Sequence, residues 1–235
     1  MVATLRCPRL RESEARMEPV DPKVLARHIA SRFRRPWHRD YARAKLRMDP
    51  VYATAASKLG ESELPLLDIG CGLGLLGCYL RESGFRGSYL GLDFDHNKIT
   101  AAREIASNYD RLAFDDTRAQ SLPAFSGHVA LVDVLHYLER EEQQTLLREA
   151  VARVAPGACL IVRSVLRDRG WRFRMTVIEE RVIHAMRWMR SPARHFPLRA
   201  EIEQPLLDAG LVVDVRPLWG NTPFNSFVLI ATRVA

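Results

Sequence analysis

The chain has 235 residues, 47% of them hydrophobic and 27% charged, which fits one large domain or one domain with an insertion and excludes wholesale disorder. Thirteen Gly and thirteen Pro exclude a collagen-like or low-complexity protein. The net charge of +7 is uneven: residues 1–50 hold 13 basic and 6 acidic side chains, residues 51–160 hold 10 and 15, and residues 161–235 hold 12 and 7, so two basic arms flank a mildly acidic middle.

In chain order, residues 1–20 lack periodicity and read as a flexible tail, with Met17 an alternative start. They have no apolar stretch of the kind a secretory signal needs, no apolar run in the chain approaches the roughly 20 residues of a membrane span, and Cys7, Cys71, Cys78 and Cys159 form no CxxC pair. A reducing cytoplasm is the expected location, and no metal is expected. Asp21-Pro22 opens a helix whose Leu25, Ile29 and Phe33 share a face. Asp40 is expected to cap a second helix through Arg47, and Asp49-Pro50 to open a third closed near Gly60. These form an N-terminal helical segment, 21–60, ahead of a domain spanning 61–235.

That domain begins with a strand at Leu64–Ile69 and a helix after Gly74. Strand Ser88–Leu92, helix Asp95–Ser107, strands Leu112–Phe114 and Val129–Val132, helix Arg140–Val154 and strand Cys159–Val165 follow. The rhythm implies a parallel sheet with helices on both faces. Residues 166–196 break it as an inserted helical segment. The next helix ends near Gly210, with Pro205 a candidate kink. Strands Leu211–Val215 and Phe227–Ala231 flank a turn at Gly220–Pro223 and suit an antiparallel hairpin. The expected fold is α/β: a Rossmann-like, mostly parallel seven-stranded sheet with an antiparallel C-terminal hairpin, N-terminal helices and a helical lid insertion.

The chemistry concentrates in Leu66-Leu67-Asp68-Ile69-Gly70-Cys71-Gly72-Leu73-Gly74, a buried strand running into alternating glycines before a helix. Glycines let the backbone turn sharply and approach a ligand, and the helix start offers free N–H groups. Asp93, about twenty residues on at the end of the next strand, suits the two hydroxyls of a ribose. Gly72, Gly74 and Gly77 also satisfy GxGxxG, which leaves a nicotinamide or flavin nucleotide open. Asp68, just before the loop, favours instead a ligand bearing an amino group.

LLDIGCGLG followed by GLDFD resembles motifs I and II of the class I S-adenosylmethionine-dependent methyltransferases. The resemblance implies S-adenosylmethionine as co-substrate, with Gly70, Cys71, Gly72 and Gly74 lining its methionine part, Asp68 holding the ammonium, Asp93 the ribose and Phe94 the adenine. Asp116, with Asp115 as the alternative, falls where that family reaches the adenine amino group. Asp133-Val134-Leu135-His136-Tyr137-Leu138 falls where related enzymes line the gap between methyl and acceptor. His136, with an ordinary imidazole pKa near 6.5, is the candidate general base beside Asp133, or else packs the turn. The (Asp/Asn)-Pro-Pro-(Tyr/Phe) tetrad of nucleic-acid amine methyltransferases does not occur there.

The stretches Lys45–Tyr52, Asp133–Leu138 and Trp219–Asn225 resemble bacterial small-molecule methyltransferases of aryl polyene or xanthomonadin-type pigment synthesis. This implies O- or C-methylation of a phenolic or polyketide-type acceptor, with Tyr52, Tyr137, Trp171, Trp219 and Phe224 as substrate-binding candidates. Ten Arg between Ala158 and Ala200 suit an acyl carrier protein that delivers the acceptor, or peripheral contact with an anionic membrane. The competing readings are an RNA methyltransferase using the basic arms, which the missing tetrad disfavours, and a non-catalytic S-adenosylmethionine-binding protein.

Overall fold

A computed structural model describes residues 21–60, 62–117, 122–185, 192–220 and 222–235, with side chains omitted for 179–185. The tail expected over 1–20 and the alternative start at Met17 lie outside the described residues. Three helices lead: α1 (Pro22–Ser31), α2 (Pro36–Met48) and α3 (Val51–Leu59). Asp21 caps α1 by accepting the Lys23 N–H at 2.8 Å, with Pro22 in the first turn, and the helix buries Leu25, Ala26, Ile29 and Ala30. α2 departs from expectation. It starts at Pro36, whose fixed φ is preset for a first turn, and Asp40 sits exposed inside it and caps nothing. The extra turn brings Trp37 and Tyr41 to the same cleft wall as Lys45. Asp49 Oδ1 accepts the Val51 N–H at 3.1 Å and opens α3, which Gly60 closes.

The sheet then alternates with helices: β1 (Leu66–Ile69), α4 (Leu75–Glu82), β2 (Tyr89–Asp93), α5 (His96–Ala106), β3 (Leu112–Asp116), β4 (His128–Val132), α6 (Arg140–Val151) and β5 (Cys159–Val165). α7 (Trp171–Ala185), α8 (Arg199–Asp208), β6 (Val212–Pro217) and β7 (Ser226–Thr232) complete it. The strand order is β3-β2-β1-β4-β5-β7-β6, and β7 runs antiparallel to both neighbours. This is the Rossmann-like sheet with an antiparallel C-terminal hairpin that the alternation implies. One apolar layer joins α1–α5 to the sheet through Ile29, Leu59, Leu80 and Ile99; the other joins α6 and α8 through Leu147, Ile202 and Leu206.

The order reverses between β1 and β4, and the chain leaves these strands on opposite sides. A crevice therefore opens at their C-terminal ends, where open α/β sheets bind ligands. Pro205 lies inside α8 without ending it. Pro205 has no N–H for the Glu201 carbonyl, and Gln144 Nε2 of α6 donates to that oxygen instead, at 2.7 Å. Among the described residues no helix is long and apolar enough to cross a membrane.

Candidate active site

The glycine loop forms the floor of the crevice. Gly70, Gly72 and Gly74 adopt φ of +80°, +57° and +73°, a region that L side chains rarely enter. The N–H groups of Gly70 and Cys71 both donate to the Leu92 carbonyl, at 2.7 and 2.9 Å, stitching the loop to the end of β2. The glycines do different work. A methyl group at Gly70 would fall 2.3 Å from Val134 Cγ2, and one at Gly74 would fall 2.4 Å from Phe114 Cζ. Gly72 meets nothing within 4 Å and opens onto a cleft of about 830 Å³, which Gly70 and Cys71 also line. Gly74 does not border that cleft. It lets the helix start seat against Phe114.

Asp68 and Asp93 hold complementary positions on this floor. Asp68, at the third position of β1, is 2% exposed; its Oδ2 accepts the Tyr89 hydroxyl, and its Oδ1 is buried with no partner. Burial raises its pKa to about 7 against the opposing Tyr89 hydrogen bond, with the Asp93 charge adding to the rise. A buried acceptor without a donor, lining a cleft, is a receptor for a cationic donor such as an ammonium group. Asp93 accepts the N–H groups of Gly72 and Asp95, each at 2.9 Å, one on each oxygen. A carboxylate has about four lone-pair sites, so each oxygen keeps one for a hydroxyl donor. Phe94 follows with its ring 61% exposed at the cleft lip, beside Asn97 and Thr117. Asp116 does not line the cleft: its Oδ2 lies 2.7 Å from His96 Nδ1 and its Oδ1 3.4 Å from Arg103, and the His96 hydrogen bond lowers its pKa. Asp115 is likewise held by Arg103 at 3.0 Å.

The opposite wall is built after β4. Asp133 takes φ +60°, a strained conformation that Asp tolerates better than most residues. It is fixed there by ion pairs to Arg163 of β5 and, at 3.1 Å, to Lys45 of α2, and by its own N–H donating to the Arg163 carbonyl at 3.0 Å. Lys45 also meets Asp49 at 2.8 Å. Burial alone would raise the Asp49 pKa, but Arg163 and Lys45 outweigh it and hold the carboxyl below its usual value. His136, on the 3-10 turn Leu135–Tyr137, borders the cleft at 2% exposure, its ring 4.1 Å from that of Tyr137 and stacked at 5.9 Å on Phe196. Burial, helped by the Lys45 charge, lowers its pKa to about 4. The ordinary imidazole expected from the sequence is therefore replaced by one that is neutral throughout the physiological range.

Of the aromatic candidates for the acceptor side, Tyr52, Tyr137 and Phe224 line the cleft and Trp171 and Trp219 do not. The two tryptophans flank Arg172, whose guanidinium lies 4.8 Å from the Trp171 ring and 4.4 Å from that of Trp219 and donates to the Thr222 carbonyl at 2.6 Å. Together with Thr176 Oγ1, which accepts the Asn225 N–H at 2.9 Å, this latches α7 to the β6–β7 turn. Sequence reasoning missed Tyr41, Lys45, Asp49 and Arg163 as cleft residues. The helical spacing of Tyr41 and Lys45, four apart on α2, was the available signal.

Residues 66–157 match the family model of a methyltransferase domain. No curated protein matches the chain in sequence. Among solved structures, an O-methyltransferase family protein from Burkholderia thailandensis superposes with TM-score 0.62 at 20% identity, over 87% of this chain and 62% of that one. Magnesium protoporphyrin IX methyltransferase from Synechocystis, with S-adenosylhomocysteine bound, gives 0.61 at 21% identity over 78% and 80%. An O-methyltransferase family 2 protein from Planctomyces limnophilus, in complex with apigenin, gives 0.63 at 18% identity over 83% and 60%. The chain thus spans about three fifths of the length of two of these three. Sheet order and glycine loop give the Rossmann-like fold that these methyltransferase structures share, and the methyltransferase-domain match falls on its first four strands.

Proposed function

We propose that the protein transfers a methyl group from S-adenosylmethionine to a small phenolic or polyketide-type acceptor. The observation that carries this reading is the unpartnered, buried Asp68 Oδ1 in the same cleft as the open Gly72 and the twice-anchored Asp93. In this reading Asp68 with Gly70, Cys71 and Gly72 holds the methionine end, Asp93 the ribose and Phe94 the adenine. Asp116 would reach the adenine only by leaving His96 and Arg103. The co-substrate, when bound, supplies an electrophilic methyl on a cationic sulfur. The chain's own contribution is to exclude water, to orient the acceptor and to supply fixed charges beside the acceptor atom; alignment of this kind is worth several kcal/mol. Asp133 and His136 border that atom from the far wall.

An aromatic acceptor suits Tyr41, Tyr52, Tyr137 and Phe224 around the cleft. The resemblance to pigment-associated methyltransferases supports the same class, with oxygen or ring carbon as the methylated atom. The Arg-rich segment after β5 supports delivery on an acidic acyl carrier protein, with peripheral contact to an anionic membrane as the alternative. The test is release of S-adenosylhomocysteine from S-adenosylmethionine in the presence of hydroxyaryl acids, the same acids loaded on a carrier protein, or unmodified RNA. Turnover with a hydroxyaryl substrate is expected. Turnover with RNA alone would establish the RNA methyltransferase reading, and tight binding with no turnover the non-catalytic one.

A further inference from the structure

The far wall of the cleft poses a problem for the methylation of a phenol. An ordinary phenol has a pKa near 10, and a base titrating near 4 is mismatched to it by about six units, so it takes that proton with great difficulty. Asp133 faces the same wall, but its two oxygens are engaged by Arg163 and Lys45. Neither side chain is a natural destination for the acceptor's proton. The wall does hold cationic charge. Arg163 is nearly buried, tied to Asp133 and to Ser226 Oγ at 2.9 Å. Lys45 is 26% exposed, projects from α2 into the cleft, and is close enough to His136 to depress its ionisation.

We propose that Lys45 is the acceptor-recognition residue of this cleft, its ammonium holding the acceptor's reacting oxygen as a phenolate or enolate, so that the substrate class is an acidic phenol or enol that reacts in its ionised form. This rests on the methyltransferase reading above. Lys45 pairs with Asp49 at the end of its own helix and Asp133 after β4 and acts on His136 of the 3-10 turn, and Arg163 on β5, Tyr41 one turn earlier and Tyr52 on α3 line the same cleft. Asp49 and Asp133 fix the ammonium, and an ammonium has three donors, so one remains for the acceptor. The neutral His136 adds no second cation to compete with Lys45 for the anion.

The transfer balances without a protein base. The acceptor's proton leaves to water before the step. The oxygen lone pair then forms the bond to the methyl carbon as the carbon–sulfur bond breaks, the bonding pair stays on sulfur, and a neutral ether and S-adenosylhomocysteine result. On an enolate or phenolate carbon the same charge is delivered through the ring, and the ring proton is lost to water afterwards.

The test uses the full chain saturated with S-adenosylhomocysteine and the chromogenic probe 4-nitrophenol, whose ionisation is read from its absorbance. The expected result is that bound probe ionises about one pKa unit lower than free probe in wild type and in Lys45→Arg, and within about 0.3 units of free probe in Lys45→Gln. Calorimetry with S-adenosylhomocysteine on each variant reports both folding and the underlying reading. If S-adenosylhomocysteine binds all three variants and the probe fails to bind, or binds wild type with its pKa unchanged or raised, or shifts equally in Lys45→Gln, the Lys45 assignment is overturned and the methyltransferase reading stands. If S-adenosylhomocysteine binds none of them, that reading fails and the assignment falls with it.

Discussion

At the scale of single residues, the proposed cofactor side of the cleft turns on Asp68. Its pKa of about 7 lies above the value of about 3.9 for an unfolded Asp, so the carboxyl favours the folded state when protonated. Stability from this group is present below about pH 4 and is lost as pH rises through about 7 in the ligand-free protein. Binding an ammonium group has the opposite preference, because it needs the ionised carboxylate. S-adenosylhomocysteine should therefore bind about tenfold more weakly at pH 6 than at pH 8, with proton release visible as a dependence of calorimetric heat on the buffer at pH 6. A flat affinity over that range would show that Asp68 does not meet the ligand's charge. His136 makes a second case. Its pKa of about 4 predicts that His136→Ala keeps the wild-type pH profile of kcat between pH 6 and 9 and loses no more than about tenfold in kcat. A loss of 10²–10⁴, the usual size of a missing general base, would restore the base role. The sequence pointed to Asp68, Asp93 and His136 because motif position alone selects them. Their charge states were not legible, since burial and the Lys45 contact depend on how α2 folds over the sheet.

Among the elements, the strands and the helices that alternate with them were legible almost to the residue, because an apolar run bounded by Gly or Asp specifies both type and end. β5 coincides with the expected Cys159–Val165, β1 and β4 differ by one or two residues at one end, and β2 is displaced by one residue at both. One element was misread for a reason of context. Asp40 looked like a cap, yet Pro36 starts the helix earlier and moves Asp40 to an exposed interior position. Pro205, the candidate kink, lies inside α8, where Gln144 supplies the Glu201 carbonyl with the donor that the proline lacks. Gln144→Leu should leave the Glu201 carbonyl unsatisfied and cost about 1–3 kcal/mol, read as a lowered midpoint in urea with an unchanged slope. No change in midpoint would mean that water replaces Gln144. The insertion expected over 166–196 contains α7, and Arg172, one of the ten arginines between Ala158 and Ala200, bridges α7 to Trp219 and Thr222. Residues 186–191 of that insertion and the side chains of 179–185 lie outside what is described.

Across the whole molecule, the sheet order places β1, β2 and β4 so that Asp68, Asp93 and Asp133, far apart in sequence, face one cleft. Alternating strands and helices made that order legible as a class, while the closing of the far wall by α2 and the β6–β7 turn depended on packing between distant segments. Central to the proposed function is an S-adenosyl ligand held in this cleft through Asp68, Gly72 and Asp93. Titration calorimetry of S-adenosylhomocysteine into wild type and Asp93→Ala at pH 8, with NADH as the competitor, tests it most directly. Wild type should bind S-adenosylhomocysteine and not NADH, and Asp93→Ala should bind more than tenfold more weakly, since hydrogen bonds to a charged acceptor are worth about 1.5–3 kcal/mol. NADH binding in preference to S-adenosylhomocysteine, or equal affinity of a folded Asp93→Ala, would contradict the account.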